Sequence, residues 1–181
     1  MSKLLFSSIE VTKQAFYRTA QSYAIVNLKP IVPGHVLVIP TRPVPRLADL
    51  TPAEIASLFT SVQTVGNVVE KAYSADALTV ACQDGKAAGQ SIPHVHVHVI
   101  PRRFTGDQFE ERNDDIYPAL EEAEAYLPDD VKASAKAASE KEREDAVQRL
   151  RIDADDARPP RSIEEMVKEA EWLGGLFEKM E

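Results

Sequence analysis

Four histidines occur in the chain, and three of them alternate with valines in one run, His94-Val95-His96-Val97-His98-Val99, bounded by Pro93 and Pro101. A period of two is that of an extended strand, so the imidazoles are expected on one face and the valines on the other. A neutral imidazole is a competent nucleophile near pH 7, and His96 has a like neighbour on each side that can position it. A metal centre is the rival reading. Alternate residues on one strand face stand ~6.5–7 Å apart, and His94 and His98 ~13 Å apart, so one ion would take two of them and need another ligand such as His35. Neither a cysteine pair nor a helical His-Glu motif supports that site. The bland reading, an incidental polar strand face, must explain why three side chains that repel once protonated stand together.

The elements that would carry these residues follow from local pattern. Phe16–Thr19 and Tyr23–Val26 are rich in aromatic and β-branched residues and read as strands. Lys29–Gly34 is a turn cluster that feeds His35–Pro40, a short apolar run and hence a strand. Thr51-Pro52-Ala53-Glu54 carries an N-cap, a proline at the first helical position and a glutamate at the third. Ile55, Leu58, Phe59, Val62, Val65, Val69 and Tyr73 continue at helical spacing, which predicts a helix of about five to six turns. Leu78–Gln83 reads as a strand, Asp84–Gln90 as a glycine-containing loop, and Asn113–Tyr126 as a short helix. Ser162-Ile163-Glu164-Glu165 is a second capping box, followed by Met166, Ala170, Leu173 and Phe177 on one helical face.

Composition bounds the setting. A hydrophobic content of 44% is enough for a core, and the longest apolar runs are too short to span a bilayer. Leu4-Leu5-Phe6 is no secretory h-region and Cys82 is a single cysteine, so the expected compartment is the cytoplasm, with the nucleus as a second. The net charge of −8 is unevenly spread: residues 1–105 hold ten Lys/Arg against six Asp/Glu, and residues 106–181 hold eleven against twenty-three. The first part can therefore receive a polyphosphate, and neither nucleic acid nor membrane is an expected partner. Three units are anticipated: a catalytic domain over 1–126, an acidic insertion over 127–159 without aromatic residues, and a C-terminal helix over 160–181 that packs back.

Pro93-His94-Val95-His96-Val97-His98-Val99-Ile100-Pro101-Arg102 resembles the His-φ-His-φ-His-φ-φ signature of the histidine-triad superfamily. Gln83-Asp84-Gly85, Ala88-Gly89-Gln90, Val26–Pro30, Pro33–Val38, Arg112–Tyr117 and Glu164-Glu165-Met166 are similar to segments of its fragile-histidine-triad branch, the dinucleoside polyphosphate hydrolases of bis(5'-adenosyl)-triphosphatase type. The resemblance implies an α+β histidine-triad fold, with a mainly antiparallel sheet of about five to seven strands, helices packed on it, and a homodimer. It implies that His96 attacks the α-phosphorus to form a nucleotidyl-histidine that water then hydrolyses.

By the same resemblance His98 contacts the α-phosphate, and His94 and His35 support the triad. Asn27 binds ribose, Gln83 lies beside the scissile phosphate link, and Gly89, Gln90, Ser91 and Ile92 hold phosphate oxygens. Ser8 stands near where relatives carry a substrate-contacting histidine. Arg102 and Arg103 are candidates for a distal phosphate, and Tyr117 matches a loop tyrosine phosphorylated in some relatives. No protein-held metal is expected; a divalent cation, Mg or Mn, is expected as part of the substrate complex, since the segments near the phosphates supply imidazoles and amides and no paired carboxylates to retain it. Two further readings stay open: a nucleoside phosphoramidate hydrolase or nucleotidyltransferase of the same superfamily, and a nucleotide-binding signalling protein. His98 in place of glutamine disfavours the transferase, and Pro101-Arg102 in place of Gly-rich sequence disfavours the phosphoramidate enzyme.

Overall fold

The computed structural model describes residues 3–124 and 161–177. The expected insertion over 127–159 lies outside the described residues. Two short strands, β1 (Leu5–Phe6) and β2 (Ile9–Glu10), form an antiparallel hairpin whose turn holds Ser7 at φ 57°. The main sheet is antiparallel throughout and consists of β3 (Ala15–Arg18), β4 (Ser22–Val26), β5 (Val36–Pro40), β6 (Ala77–Ala81) and β7 (Val97–Arg102), in the order β3-β4-β5-β7-β6. The resemblance implied an α+β fold with a mainly antiparallel sheet of about five to seven strands; the main sheet has five, and the hairpin stands apart from it.

Helix α1 (Pro52–Tyr73) starts where its capping box predicts: the Thr51 hydroxyl accepts from the Glu54 N–H, and the Glu54 carboxylate accepts from the Thr51 N–H. Such a cap contributes about 1 kcal/mol. Arg42 donates twice to the same Glu54 carboxylate, which ties the end of β5 to the start of α1. Leu58, Val62, Val65 and Val69 face the sheet, over β4, β5 and β7. β4 and β5 are buried along their whole length: α1 packs against both, and the Tyr23 hydroxyl of β4 donates to the Leu5 carbonyl of the N-terminal hairpin. Residues 113–115 form a single 3-10 turn and residues 116–124 are helical (α2); the sequence suggested one helix from Asn113. Ile116 and Leu120 of α2 pack with Val32, Ile100 and Phe109 in a small second core.

Helix α3 (Ile163–Phe177) begins at the second capping box, in which Ser162 Oγ accepts from the Glu165 N–H. Met166, Ala170 and Leu173 are buried in the main core, and α3 contacts α1, β3 and β4. Arg161 anchors its entry: its backbone N–H donates to the Leu28 carbonyl, its guanidinium to the Asn27 carbonyl at 2.7 Å, and it pairs with Glu169.

Candidate active site

The turn before β5 sets the position of the first histidine. Gly34 has φ +85°, and a Cβ there would lie 2.5 Å from the Tyr73 ring, so only glycine lets the turn close against α1. His35 follows at once, buried beneath the sheet. The Ile31 N–H donates to its Nδ1 at 3.3 Å, and a backbone donor leaves that nitrogen bare. The ring proton therefore sits on Nε2, which donates to His98 Nδ1 at 2.9 Å. This in turn assigns the His98 proton to Nε2, which has no hydrogen-bond partner among the described residues. A backbone amide thus fixes, through two rings, one free imidazole donor. The Asn27 amide nitrogen lies 3.2 and 3.3 Å from the two His35 ring nitrogens, and its carbonyl oxygen accepts from the Lys29 N–H.

The alternation of the triad does not correspond to a continuous strand. β7 starts at Val97, so only His98 lies in the ladder. His94 and His96 belong to the segment entering it, where the Val95 N–H bonds the Val44 carbonyl instead of a sheet neighbour. The reason is the burial of both sides of this run: Val95, Val97 and Val99 fill the core while each histidine needs its own polar partner. His94 Nδ1 accepts from the Ser7 N–H at 3.0 Å, and its Nε2 donates to the Pro40 carbonyl at 2.8 Å. His96 Nδ1 donates to the His94 carbonyl at 2.8 Å, which leaves Nε2 as its reactive nitrogen. Phe6, from the N-terminal hairpin, stands edge-on to His96 with ring centroids 5.2 Å apart and also touches His94.

Burial keeps the supporting imidazoles neutral. It lowers His94 to about 4; burial, then the charges of His96 and Arg161, lowers His35 to about 3. His98 is pushed well below its ordinary value by burial and by its two histidine neighbours. Burial alone would raise the Glu124 carboxyl, but the hydrogen bond and charge of His96, with His98 and the Ser91 hydroxyl, hold it down at about 2.

Glu124 is the site residue that sequence reasoning missed. Its Oε1 lies 3.1 Å from His96 Nε2 and 3.5 Å from His98 Nε2, and its Oε2 accepts from the Ser91 hydroxyl at 2.6 Å. A signal existed: Ile116, Leu120 and Glu124 recur every fourth residue, which places a glutamate on the buried stripe of α2. Asp84, at the start of the loop after Gln83, pairs with Arg46 and accepts from the Leu47 N–H.

The remaining candidates divide. Gln83 sits against Gly89 (φ +89°), where a Cβ would meet the Gln83 amide at 2.7 Å, and its buried Oε1 has no partner among the described residues. Gln90 is committed to the loop itself, accepting from the Gly85 N–H and donating to the Pro45 carbonyl. Ile92 is buried core, and its carbonyl accepts from the His94 N–H. Ser8 is exposed at the hairpin tip, and the contact with the triad comes from its neighbour Ser7. Arg102 donates to Asp107, Thr79 and Asn113, and Arg103 donates to the Tyr73 carbonyl, so both guanidinium groups brace loops.

Residues 8–105, which hold all four histidines, match the HIT domain family. The chain belongs to the HIT family. The chain is 51% identical over 175 residues to a bis(5'-nucleosyl)-tetraphosphatase [asymmetrical] from Schizosaccharomyces pombe, covering 97% of this chain and 94% of that protein. It is 42% identical over 166 residues to a bifunctional bis(5'-adenosyl)-triphosphatase/adenylylsulfatase from Arabidopsis thaliana, covering 92% and 79%. Among solved structures, the NitFhit protein of C. elegans matches with a TM-score of 0.57 at 46% identity, over 68% of this chain and 29% of that longer one. The fold also matches Plasmodium falciparum diadenosine triphosphate hydrolase, with a TM-score of 0.68 at 23% identity over 99% of this HIT chain and 86% of that one.

Proposed function

We propose that this chain hydrolyses diadenosine triphosphate, or a related dinucleoside polyphosphate, to a nucleoside monophosphate and the remaining nucleotide. The observation that carries this reading is the assignment of protons at the site: His96 is held through Nδ1, so that Nε2 is the nitrogen left to attack, while His98 Nε2–H has no hydrogen-bond partner among the described residues. A nucleophile beside an unengaged donor suits a phosphoryl group. The names of relatives at 42–51% identity support the same substrate class.

In the first step the Nε2 lone pair of His96 forms a P–N bond to the α-phosphorus, and the P–O bond to the β-phosphate breaks, releasing ADP from diadenosine triphosphate. In the second, water forms a P–O bond, the P–N bond breaks back to His96, and AMP leaves with the second proton passing to solvent. Splitting one displacement into two lowers each barrier. His98 Nε2–H and the Ser91 hydroxyl bind phosphate oxygens; His35 and His94 hold the rings; Gln83, Gly89, Gln90 and Ile92 shape the phosphate loop, and Asn27 serves the ribose side. Mg or Mn arrives on the substrate phosphates. Among the described residues the site offers such an ion one carboxylate, Glu124, both of whose oxygens already have partners.

Residues 1–126 form the catalytic unit in this reading, with 160–181 returning to it. A homodimer is supported by the apolar side chains Ile55 and Phe59 exposed on α1 and by Val80 on the edge strand β6. No helix among the described residues is long and apolar enough to cross a membrane, and the cytoplasm, with the nucleus, is the proposed compartment. The test is a panel of dinucleoside tri-, tetra- and pentaphosphates, with products identified by mass. Cleavage of none of them would overturn the reading.

A further inference from the structure

The site already contains an anion of its own. Glu124 is 2% exposed, and its two carboxylate oxygens face His96 Nε2, His98 Nε2, the Ser91 hydroxyl and, at 3.4 Å, the Ser91 N–H. Four nitrogen or hydroxyl groups converging on the oxygens of one acid would equally surround the oxygens of a phosphate. We propose that Glu124 is an internal competitor for the phosphate subsite, occupying it in the free protein and displaced by the substrate's α-phosphate, so that this side chain sets substrate affinity. The identity of the substrate rests on the preceding reading; the occupancy rests on the geometry alone.

Three features exclude other roles for the carboxylate. It does not orient the nucleophile, because orientation comes from the other ring nitrogen, Nδ1, which donates to the His94 carbonyl. Nε2, the nitrogen that must attack, is the one Glu124 covers, at 3.1 Å. Glu124 must therefore leave before His96 can act. Nor do the groups assemble a metal centre, although one ligand atom from each of His96, His98 and Glu124 lies within 4.8 Å of the others. A metal on His98 Nε2 would move its proton to Nδ1, and the His35 proton from Nε2 to Nδ1. That proton would then point at the Ile31 N–H, 3.3 Å away, setting donor against donor.

Displacement needs little of the fold to change. Glu124 lies on the last described turn of α2, and α2 rests on the small Val32, Ile100, Phe109, Ile116 and Leu120 cluster, separate from the main core. Rotation about the side-chain bonds removes the carboxylate from all four contacts. A tethered group competes as though present at about millimolar or higher concentration, enough to raise KM without touching the chemical step.

The test compares the full chain with Glu124→Gln and Glu124→Ala, using inorganic phosphate and AMP as binding probes in calorimetry alongside steady-state kinetics. Both variants should bind phosphate roughly fivefold or more tightly, and KM for diadenosine triphosphate should fall in proportion while kcat stays within about twofold. The wild type alone gives an independent reading, a Glu124 carboxylate resonance that shifts saturably as phosphate is added. Unchanged or weaker phosphate binding in both variants, or an unmoved resonance, overturns the proposal. So does a kcat loss beyond tenfold with unchanged circular dichroism, which would place Glu124 in the chemistry. Tighter phosphate binding by a protein that cleaves no dinucleoside polyphosphate would overturn the substrate reading and leave this inference standing.

Discussion

The Nδ1 of His96 lies 2.8 Å from the carbonyl oxygen of His94, two residues back along its own chain. The nucleophile is therefore oriented through Nδ1 by backbone. Its tautomer is set before any substrate arrives, with the proton on Nδ1 and the attacking position at Nε2.

His96→Asn should reduce turnover by about three orders of magnitude or more while changing substrate binding by no more than about tenfold. Asparagine keeps polarity and approximate size but has no ring nitrogen to form a P–N bond. Rapid-quench trapping of the wild type with labelled substrate should yield an acid-labile, base-stable adduct on His96. His98→Asn should be milder, since it removes a phosphate donor and not the attacking atom. A His96→Asn rate above about a tenth of wild type would mean direct attack by water.

Stability should fall on mild acidification. His94 and His35 titrate in the folded chain at about 4 and about 3, against 6.5 when exposed, chiefly because burial penalises the cation. The unfolded chain thus binds protons that the folded chain refuses. The stabilisation is complete above about pH 6.5 and declines as pH drops, by up to ~1.4 kcal/mol per pH unit for each histidine. Carboxylates such as Glu54, lowered to about 2 mainly by its hydrogen bond to Arg42, lose their contribution only below their own unfolded value of 4.5. Urea unfolding between pH 7 and 5 isolates the histidines, and a flat profile across that window would contradict their burial as neutral rings.

Gly34→Ala should destabilise the chain by about 2 kcal/mol or more, because it adds a Cβ both at positive φ and against Tyr73. A fall in melting temperature of about 5 °C or more is expected. Because Gly34 precedes His35, kcat should fall as well. An unchanged melting temperature would show that the turn adapts.

Arg161→Ala should cost about 1–3 kcal/mol, since it leaves the Asn27 carbonyl and Glu169 without their guanidinium partner. Asn27 lies against His35, so a secondary decrease in turnover is expected. Arg161→Lys should recover only part of the loss, because one ammonium cannot reproduce the planar fork. Denaturant midpoints of the two variants decide this.

Much of the fold is legible in short-range pattern. Thr51 with Glu54 and Ser162 with Glu165 mark both long helices, because a capping box is a contact between residues three apart and needs nothing else in the molecule. The alternation of His94, His96 and His98 marks the site for the same reason, and family resemblance extends that reading to His35 and Gln83. Tertiary structure alone decided the rest. The proton pattern depends on the Ser7 N–H reaching His94 across 87 residues, and the Arg161 anchor on a partner 134 residues away. The start of β7 at Val97 follows from which carbonyls and amides stand nearby, not from the period of two. Glu124 shows the difference most plainly. Its spacing from Ile116 and Leu120 places it on a buried stripe, but its meeting with Ser91, 33 residues earlier, requires α2 to have docked. Residue types determine which groups can donate, accept or attack, whereas only the packed chain determines which of them face one another, because that depends on burial and distance and not on order along the backbone.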